Sequence, residues 1–428
     1  LSFFEDKHKN MWIGTNKGLA LISTFSTRFQ SNDVPSISKK IKDIREFAEV
    51  SENLLLAANE GLFYSANGKQ AKKILSEKIY GLHQSASGKL YGVGRGFFEI
   101  DTSTFNVKQL SSLYFKGSWS LAEDKNGNLW TINSENLTRY HKDSGKFETF
   151  FTNEIPTLKD IPRIDVLIDS NNRLWLCTLS SGVYILENPH DLKEGDIPVF
   201  KNINYEEGLT NSLSNRLTTS ILEASNGTIW IGTDAGLNAI DPTTFEVTRY
   251  LKKQGLKDEK IMALLEDDFG NIWGSTLGNS IFKLDVKTEL FNLFSQEDGL
   301  NSNDFLLSSA YKNAKGQLIF GTGNGIEIIN PDLFENFTKP KIDFFFTNAK
   351  FTSQSGEGEI KSIDLSPNEL KVTHDNNSFS VNYTTLNYHL AEKTAYQYKV
   401  ANLNDNWQSN GSKRSISFTG LLPGEYML

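Results

Sequence analysis

One unit of sequence recurs along the chain, and this repetition limits the possible folds more than any other feature. Asn10–Leu19 reads Asn-Met-Trp-Ile-Gly-Thr-Asn-Lys-Gly-Leu, and Thr228–Leu237 reads Thr-Ile-Trp-Ile-Gly-Thr-Asp-Ala-Gly-Leu. Eight segments fit this frame, and their anchor residues are Trp12, Leu55, Tyr91, Trp130, Trp175, Trp230, Trp273 and Ile319. A strand-rich unit that recurs about every 40–50 residues is typical of the blades of a β-propeller.

Each unit has the same internal order of short strands and turns. A short apolar strand leads to a turn such as Ser225–Thr228 (Ser-Asn-Gly-Thr), and a second strand carries the aromatic anchor. Asn-Gly between two apolar runs is a strong hairpin signal, because both residues tolerate a positive φ. Further strands follow, as in Leu237–Ile240 and Phe245–Tyr250. Four antiparallel strands make one blade, so we expect an all-β chain in which Trp230 and Trp273 are buried between blades.

The sequence changes character after the last repeat. Beyond Pro340 come alternating strands such as Ser378–Tyr383 and Ala395–Val400. Short strands with period-two alternation over roughly 90 residues are typical of an immunoglobulin-like β-sandwich. We therefore predict a β-propeller over residues 1–338 followed by an immunoglobulin-like β-sandwich over residues 339–428.

The connection between these two regions is short and partly apolar. It runs from Pro331 to Pro340 and contains Leu333, Phe334 and Phe337. A long flexible linker would be polar and rich in glycine or serine. We expect this segment to pack, so that the propeller and the sandwich are mechanically coupled.

Charge and cysteine content exclude some classes of protein. The chain has 44 Lys and Arg against 52 Asp and Glu, so it lacks the basic excess of nucleic-acid-binding proteins. Cys177 is the only cysteine, which excludes an intrachain disulfide, and its strand-like setting predicts an inert core thiol. No apolar run approaches the roughly 18 residues of a membrane helix. Since the sequence opens inside a repeat at Leu1 and stops at Leu428 directly after a strand-like run, we expect any membrane segment to lie outside it.

Acidic pairs recur at one place in the repeat, at the end of a first strand and before a turn. They are Glu5-Asp6, Glu123-Asp124 and Glu266-Asp267-Asp268. A catalytic pair should occur once, so we interpret these pairs as turn caps and predict no catalytic residue. A segment starting at Asp124 resembles a calcium loop, but Leu129 stands where glycine is required. The histidines are scattered and no phosphate-binding loop occurs, so neither a metal nor a cofactor is predicted.

Candidate ligand contacts come from the loops that lead into the innermost strand of each blade. In a propeller these loops open at the mouth of the central channel, and here they are polar and variable. The selected residues are Trp119, Arg163, Asn215, Arg216, Lys260, Asn303 and Phe305. Arginine offers a planar fork of donors to hydroxyls or carboxylates, and tryptophan offers a face on which a sugar ring can stack. We expect these side chains to form a rim that contacts a ligand.

The repeat Leu-Trp-Ile-Gly-Thr…Gly-Leu resembles the two-component regulator propeller repeat. The following region resembles the triple-tyrosine (Y-Y-Y) domain, through Tyr383–Tyr388, Tyr396–Tyr398, Asn406-Trp407 and Leu421–Tyr426. This resemblance implies the periplasmic sensor region of a hybrid two-component system of Bacteroidetes, with an oligosaccharide as ligand. It also implies a homodimer through the sandwich domain, which passes the signal across the membrane to a cytoplasmic histidine kinase. Because propellers of that family usually have seven blades, we favour seven over eight, and the first repeat would then belong to a preceding propeller.

Two other functional classes stay open on the sequence. One is a protein-interaction scaffold built on the propeller. The other is an enzyme propeller, such as a lyase or a quinoprotein, although the repeat lacks the tryptophan-docking signature that quinoproteins carry. A glycan-array or calorimetric screen separates a sugar sensor from a scaffold.

Overall fold

The structure is a computed structural model, and its described residues fall into two compact units. One unit is Thr24–Asn336, and the other comprises Leu1–Ser23 together with Phe337–Leu428. The described residues are 2–6, 10–22, 29, 41–50, 53–66, 70–85, 87–111, 120–133, 136–151, 163–256, 260–278, 280–335, 344–352, 360–361, 378–385, 394 and 396–428.

The unit Thr24–Asn336 is a propeller whose described residues form seven antiparallel sheets, here called blades 1 to 7. Before it, the first repeat forms a separate sheet of β1 (Ser2–Glu5), β2 (Met11–Thr15) and β3 (Gly18–Ile22). Blade 1 consists of β4 (Ile44–Val50), β5 (Asn53–Ala58), β6 (Gly61–Ala66) and β7 (Gln70–Leu75). Blade 2 consists of β8 (Ile79–Gln84), β9 (Leu90–Gly94), β10 (Phe97–Ile100) and β11 (Val107–Ser111). Blade 3 consists of β12 (Ala122–Glu123), β13 (Leu129–Ile132), β14 (Asn136–His141) and β15 (Lys146–Phe151).

The remaining blades follow the same order of strands. Blades 4 to 7 consist of β16 (Arg163–Ile168), β17 (Leu174–Thr178), β18 (Val183–Leu186) and β19 (Lys201–Ile203); β20 (Thr218–Glu223), β21 (Ile229–Thr233), β22 (Gly236–Ile240) and β23 (Val247–Tyr250); β24 (Ile261–Glu266), β25 (Ile272–Thr276), β26 (Ile281–Asp285) and β27 (Leu290–Phe294); and β28 (Phe305–Lys312), β29 (Leu318–Thr322) and β30 (Gly325–Ile329). Short helical turns lie at Pro189–Asp191, Lys252–Gln254, Gln296–Asp298 and Asp332–Glu335. The predicted all-β propeller is confirmed, and seven is the number of blades in the part of the chain that the structure describes.

The blades close into a ring around their first strands. First strands contact one another from blade to blade, and β28 of blade 7 returns to β4 of blade 1. At this closure Ser309 Oγ donates to the carbonyl of Ile44 at 2.7 Å, and Ala314 N donates to the Glu49 carboxylate at 2.7 Å. The first strands therefore form the wall of the central channel.

The first repeat belongs to the other compact unit, so the propeller unit runs from Thr24, whereas the sequence predicts a propeller from residue 1. In the first sheet Phe3, Phe4 and Leu19 are 65%, 66% and 67% exposed. Its anchor Trp12 is only half-buried. A blade buries both faces against neighbouring blades, and this sheet does not. At the other end the observed limit, Asn336, lies close to the predicted residue 338.

An aspartate at the start of the first turn holds the tryptophan anchor in three blades. Its carboxylate accepts the indole N–H of the tryptophan six residues later, as in Asp124 with Trp130 (2.8 Å), Asp169 with Trp175 (2.8 Å) and Asp267 with Trp273 (2.7 Å). The same carboxylate accepts backbone N–H groups of its turn, as Asp267 does from Phe269 and Asn271. These bonds confirm the interpretation of the acidic residues as turn caps.

Where a glutamate precedes the turn, as in blades 5 and 6, it has a different structural role, because it joins neighbouring blades. Glu223 of blade 5 accepts the backbone N–H of Ser170 in blade 4 at 2.8 Å. Glu266 of blade 6 accepts the backbone N–H of Ser225 in blade 5 at 2.7 Å. In blade 6, both Glu266 and Asp267 of the acidic pair are therefore used in the packing of the ring.

The pairing of aspartate with tryptophan fails in one blade. Where the anchor is not tryptophan the aspartate is absent too, as in Ser85 with Tyr91 and Asn313 with Ile319. Blade 5 keeps Trp230 but has Ala224 in the place of the aspartate. As a result the indole N–H of Trp230 is buried without a hydrogen-bond partner among the described residues. An unpaired buried donor costs roughly 1–3 kcal/mol.

We expect Ala224→Asp to raise the free energy of unfolding by about 1–2 kcal/mol, because it supplies the missing acceptor for Trp230. The backbone is already suitable, since Ala224 N donates to Thr228 O at 2.9 Å, as Asp267 N does to Asn271 O at 3.0 Å. Urea unfolding followed by far-UV circular dichroism measures the change. Asn226→Asp, which adds the same charge to the exposed turn away from the indole, is the control, and equal stability of the two variants would contradict the account.

The second region is a two-sheet β-sandwich, as predicted. Its strands are β31 (Phe344–Thr352), β32 (Ile360–Lys361), β33 (Ser378–Thr385), β34 (Tyr396–Val400), β35 (Asn404–Gly411) and β36 (Ser415–Phe418). One sheet has the order β32-β31-β33-β36, and the other pairs β34 with β35, a strand that was not predicted. Tyr383, Tyr396 and Ile416 form its buried core, with the two tyrosine rings 4.9 Å apart. Tyr383 Oη also donates to Lys413 O at 2.9 Å.

The segment that leaves the propeller packs against blade 6. The ring of Phe334 lies 5.3 Å from that of Trp273 and 5.3 Å from that of Phe29. The Glu335 carboxylate pairs with the ammonium group of Lys283. The predicted packing is confirmed for Phe334, whereas Leu333 is 37% exposed. Phe337 lies outside the described residues.

Among the described residues no helix is both long and apolar enough to span a lipid bilayer.

Candidate functional site

The mouth of the central channel lies where each first strand begins and where the second strand turns into the third. Hydrogen bonds join these segments between blades. Gly182 N of blade 4 donates to Arg216 O of blade 5 at 2.8 Å, and Thr178 N donates to Thr218 Oγ1 at 2.8 Å. Among the described residues, the loops that carry predicted ligand contacts therefore share this end of the propeller.

Four of the predicted contacts have described side chains at the mouth. They are Asn215, Arg216, Lys260 and Asn303. Arg216 and Asn303 are exposed, and Asn215 is half-buried because its side-chain oxygen accepts the backbone N–H of Leu217. Lys260 forms an ion pair with Asp234 of blade 5 at 3.1 Å. Arg216 is thus the cation among these residues that is exposed to solvent and has no ion pair in the part of the chain that the structure describes.

Of the other predicted contacts, Phe305 lies away from the rim, and the remaining two side chains lie outside the described residues. Phe305 was wrongly selected: it is 4% exposed, and its ring packs on Phe320 within the core between blades 6 and 7. The prediction placed Phe305 in a loop, whereas it is the first residue of β28. Arg163 begins β16 opposite Thr178, and its side chain, like the whole of Trp119, lies outside the described residues.

Two carboxylates on the channel wall were missed by sequence reasoning. Asp165 of blade 4 accepts the backbone N–H of Val166 at 3.0 Å, and it lies close enough to the Ser120 hydroxyl of blade 3 and the Ile221 backbone of blade 5 for both to favour its charged form. It therefore contacts three consecutive first strands. Glu46 occupies the matching register in blade 1, directly after the bulge in its strand. Both side chains are surrounded by protein and yet keep some accessible surface, as expected for groups that face a channel.

A signal for these carboxylates was present in the repeats. At the equivalent position the other first strands have a small or hydroxyl-bearing residue, namely Gly81, Ser120, Ser220, Ala263 and Ser309. Glu46 and Asp165 are the two departures from this rule. Aligning the first strands on the anchor residues of their repeats would have singled out both residues.

Burial controls the protonation of the two carboxylates on the channel wall. It raises the pKa of Asp165 from 3.8 to about 6, against the opposing effect of the hydrogen bonds that the carboxylate accepts. Burial also raises the pKa of Glu46, and the charge of Asp165 adds to this effect. The pKa of the Cys177 thiol is raised by burial as well, which agrees with the predicted inert core cysteine.

Other parts of the surface are weaker candidates for a ligand site than the channel mouth. Two grooves, of about 320 Å³ and 500 Å³, lie at the outer edges of blades 3 and 5. Their linings include Phe147 and Ile197 in the first and Asn211 and Arg249 in the second. The Arg249 guanidinium is used to hold the loop at Ser212. Among the described residues no group of three or more His, Cys, Asp or Glu is arranged to hold a metal ion.

Two family models match the chain. Residues 212–235 match the two component regulator propeller, and residues 387–428 match the Y_Y_Y domain. The two matches lie in one chain, the propeller repeat before the Y_Y_Y domain. The resemblance predicted from the repeat and from the tyrosine motifs is thereby confirmed.

Individual proteins are similar to parts of the chain or to all of it. "Histidine kinase P4" of Formosa agariphila is 25% identical over 249 residues, which are 56% of this chain and 17% of that protein, so the chain spans a small part of this relative. The extracellular domain of a putative hybrid two component system from B. thetaiotaomicron is 19% identical, with a TM-score of 0.45, over 99% of this chain and 69% of its own. A streptogramin B lyase structure is 12% identical, with a TM-score of 0.55, over 68% of this chain and 94% of its own. The likeness to the lyase shows the propeller fold alone.

Proposed function

We propose that this chain is the periplasmic sensor region of a hybrid two-component receptor and that it binds an oligosaccharide at the channel mouth. The observation that carries the proposal is the presence of a two component regulator propeller repeat and a Y_Y_Y domain in one chain. The similarity to a protein named as a histidine kinase supports it. In this proposal the sandwich forms a homodimer and relays occupancy to a cytoplasmic kinase.

The chemistry of the mouth suits binding rather than catalysis. Arg216 and Asn303 present exposed polar side chains, and Lys260 with Asp234 adds a donor and an acceptor. Such groups match the closely spaced hydroxyls of a sugar chain. The acidic pairs that an enzyme would need are occupied in turns and in contacts between blades. Binding therefore accounts for the mouth without a reaction.

The proposed relay has a physical starting point in the segment that leaves blade 7. Phe334 packs on Trp273, and Glu335 pairs with Lys283, so a shift of blade 6 relative to blade 7 would change the contacts of this segment. A ligand changes such an arrangement only by its difference in affinity for two states. A coupling of about 1–3 kcal/mol would give a 5- to 150-fold response.

Arg216→Ala is expected to weaken oligosaccharide binding at least tenfold, about 1.4 kcal/mol, and to leave the melting temperature near that of the wild type. The probe is a panel of soluble neutral, uronic-acid and sulfated oligosaccharides, titrated into the chain by calorimetry. Arg414→Ala, at an exposed arginine of the sandwich, is the matched control. Equal affinity of the Arg216→Ala variant would place the site elsewhere.

The panel also tests the proposal against a scaffold. If no member of the panel binds the wild-type chain, oligosaccharide sensing is wrong. Saturable binding of a purified protein partner to the propeller would then favour the scaffold.

A further inference from the structure

The first strand of blade 7 departs from the other first strands. Four residues, Leu306–Ser309, lie opposite the single Gly321 on β29. In blade 5 the matching stretch Thr219-Ser220 lies opposite Gly232, so two residues face one. Blade 7 therefore has two additional residues in the wall of the channel, directly below the mouth.

These additional residues contact blades that are not neighbours of blade 7. Ser308 Oγ donates to the carbonyl of Thr219 in blade 5 at 3.0 Å. Leu307 packs against the core between blades 6 and 7 and also against the core between blades 4 and 5, which contains Trp175. Ser309 bonds in the opposite direction, to Ile44 of blade 1. One short segment thus joins blades on several sides of the channel.

The conformation of the segment is unusual, which indicates that its surroundings hold it in place. Ser308 has a φ of 52°, in the left-handed region that residues with a Cβ rarely adopt. Leu306, Leu307 and Ser308 each keep part of their surface accessible. The segment therefore extends into the channel, and we call Leu306–Ser308 the floor of the mouth.

The surroundings of the floor have a defined chemistry. Asp165 and Glu46 lie on the channel wall at the register of Ser309. The side-chain hydroxyl of Thr219 is fully buried and has no hydrogen-bond partner among the described residues, and the carbonyl of the same residue accepts the bond from Ser308. Apolar leucine side chains beside carboxylates and hydroxyls suit the C–H faces and hydroxyl groups of a neutral sugar. The carboxylates, when ionised, repel an anionic sugar.

We propose that Leu306–Ser308 closes the channel below its mouth and forms the floor of the ligand site, where it contacts a neutral sugar residue at the end of the bound oligosaccharide. This proposal rests on the proposed function. To that function it adds which residues contact the sugar and that the sugar is neutral. It also gives a reason for the position of the site. The floor belongs to blade 7, whose strand β30 leads directly into the segment of Phe334 and Glu335. A ligand bound at the floor therefore contacts blade 7, the blade that leads into this segment.

The test uses the whole chain and the same oligosaccharide panel. Deletion of Leu306 and Leu307 restores the two-residue stretch of blade 5, and Leu306→Ala changes the floor with less disturbance. We expect both variants to bind the best neutral oligosaccharide at least tenfold more weakly than the wild type. Leu290→Ala, at a leucine 62% exposed on the outer strand of blade 6, is the matched control and should bind normally. If the deletion variant does not fold, the Leu306→Ala variant decides the result.

A second readout separates contact with the sugar from general damage. Hydrogen exchange of Asn330–Glu335 is expected to slow when the neutral oligosaccharide binds the wild-type chain, and to change less in the Leu306→Ala variant at equal occupancy. Unchanged affinity in both floor variants overturns the floor and leaves the proposed function standing. Binding of uronic-acid or sulfated members alone overturns the neutral-sugar assignment. A panel without any binder overturns the proposed function, and this inference with it.

Discussion

Trp273→Ala is expected to lower the free energy of unfolding by about 3–5 kcal/mol, the range for deletion of a large buried aromatic side chain. The indole is 0% exposed in the core between blades 6 and 7, and it stacks on Phe294 with ring centroids 5.8 Å apart. The substitution also removes the N–H that Asp267 accepts at 2.7 Å, which leaves a buried carboxylate with one donor fewer. Urea unfolding followed by far-UV circular dichroism measures the loss.

A pair of conservative substitutions separates the hydrogen bond from the packing. Trp273→Phe loses the bond to Asp267, whereas Trp230→Phe loses no bond, because the Trp230 N–H has no partner among the described residues. The first should therefore be more destabilising than the second by about 1–2 kcal/mol. If the two substitutions cost the same, the role given to the aspartate is wrong. If Trp273→Ala costs less than 1 kcal/mol, the packing account is wrong as well.

The blades could be predicted because the residues that define them lie close together in the sequence of each repeat. Tight turns recur from blade to blade, four blades have a tryptophan anchor and three of these have an aspartate six residues before it, and each signal acts inside its own hairpin. The sandwich strands were found for the same reason, since Ser378–Tyr383 alternates clearly. The strand Asn404–Gly411 was missed because its residues are almost all polar.

The extent of the propeller could not be predicted in this way. The first repeat has the same Asp6 and Trp12 as the blades, and the two side chains make the same bond at 3.0 Å. Whether a repeat is enclosed depends on neighbours that its own sequence does not specify. Ring closure is equally non-local, since Ser309 and Ile44 are 265 residues apart in the chain.

The candidate site shows the same division between local and non-local information. The exposure of Arg216 follows from its place in a polar loop, and its contact with a ligand stays a prediction. Phe305 was misplaced because the start of β28 cannot be told from the preceding loop by its sequence. The floor was not foreseen, since Leu306–Ser308 reads as an ordinary apolar strand and the extra residues show only in the pairing with β29.

Asp165→Asn is expected to stabilise the chain above pH 6 and to change its stability little below pH 4. The folded state raises the pKa of this carboxyl from 3.8 to about 6, so the native protein holds a proton that the unfolded chain releases between these values. Stability therefore falls as the pH rises through this interval. The shift corresponds to at most roughly 3 kcal/mol above pH 6. The melting temperature measured against pH tests the slope, and Asp143→Asn, at an exposed aspartate, is the control.

The effect of Asp165 should also depend on Glu46, because the Asp165 charge contributes to the raised pKa of Glu46. Either Asp165→Asn or Glu46→Gln removes the repulsion between the two carboxylates, together with the burial cost of the group that is replaced. The double variant removes that repulsion only once. Its gain in stability above pH 6 should therefore be smaller than the sum of the two single gains, and the difference measures the interaction across the channel. Additive gains would show that the two carboxylates do not interact. If the melting temperature of the Asp165→Asn variant depends on pH as that of the wild type does, Asp165 is not held protonated by the fold.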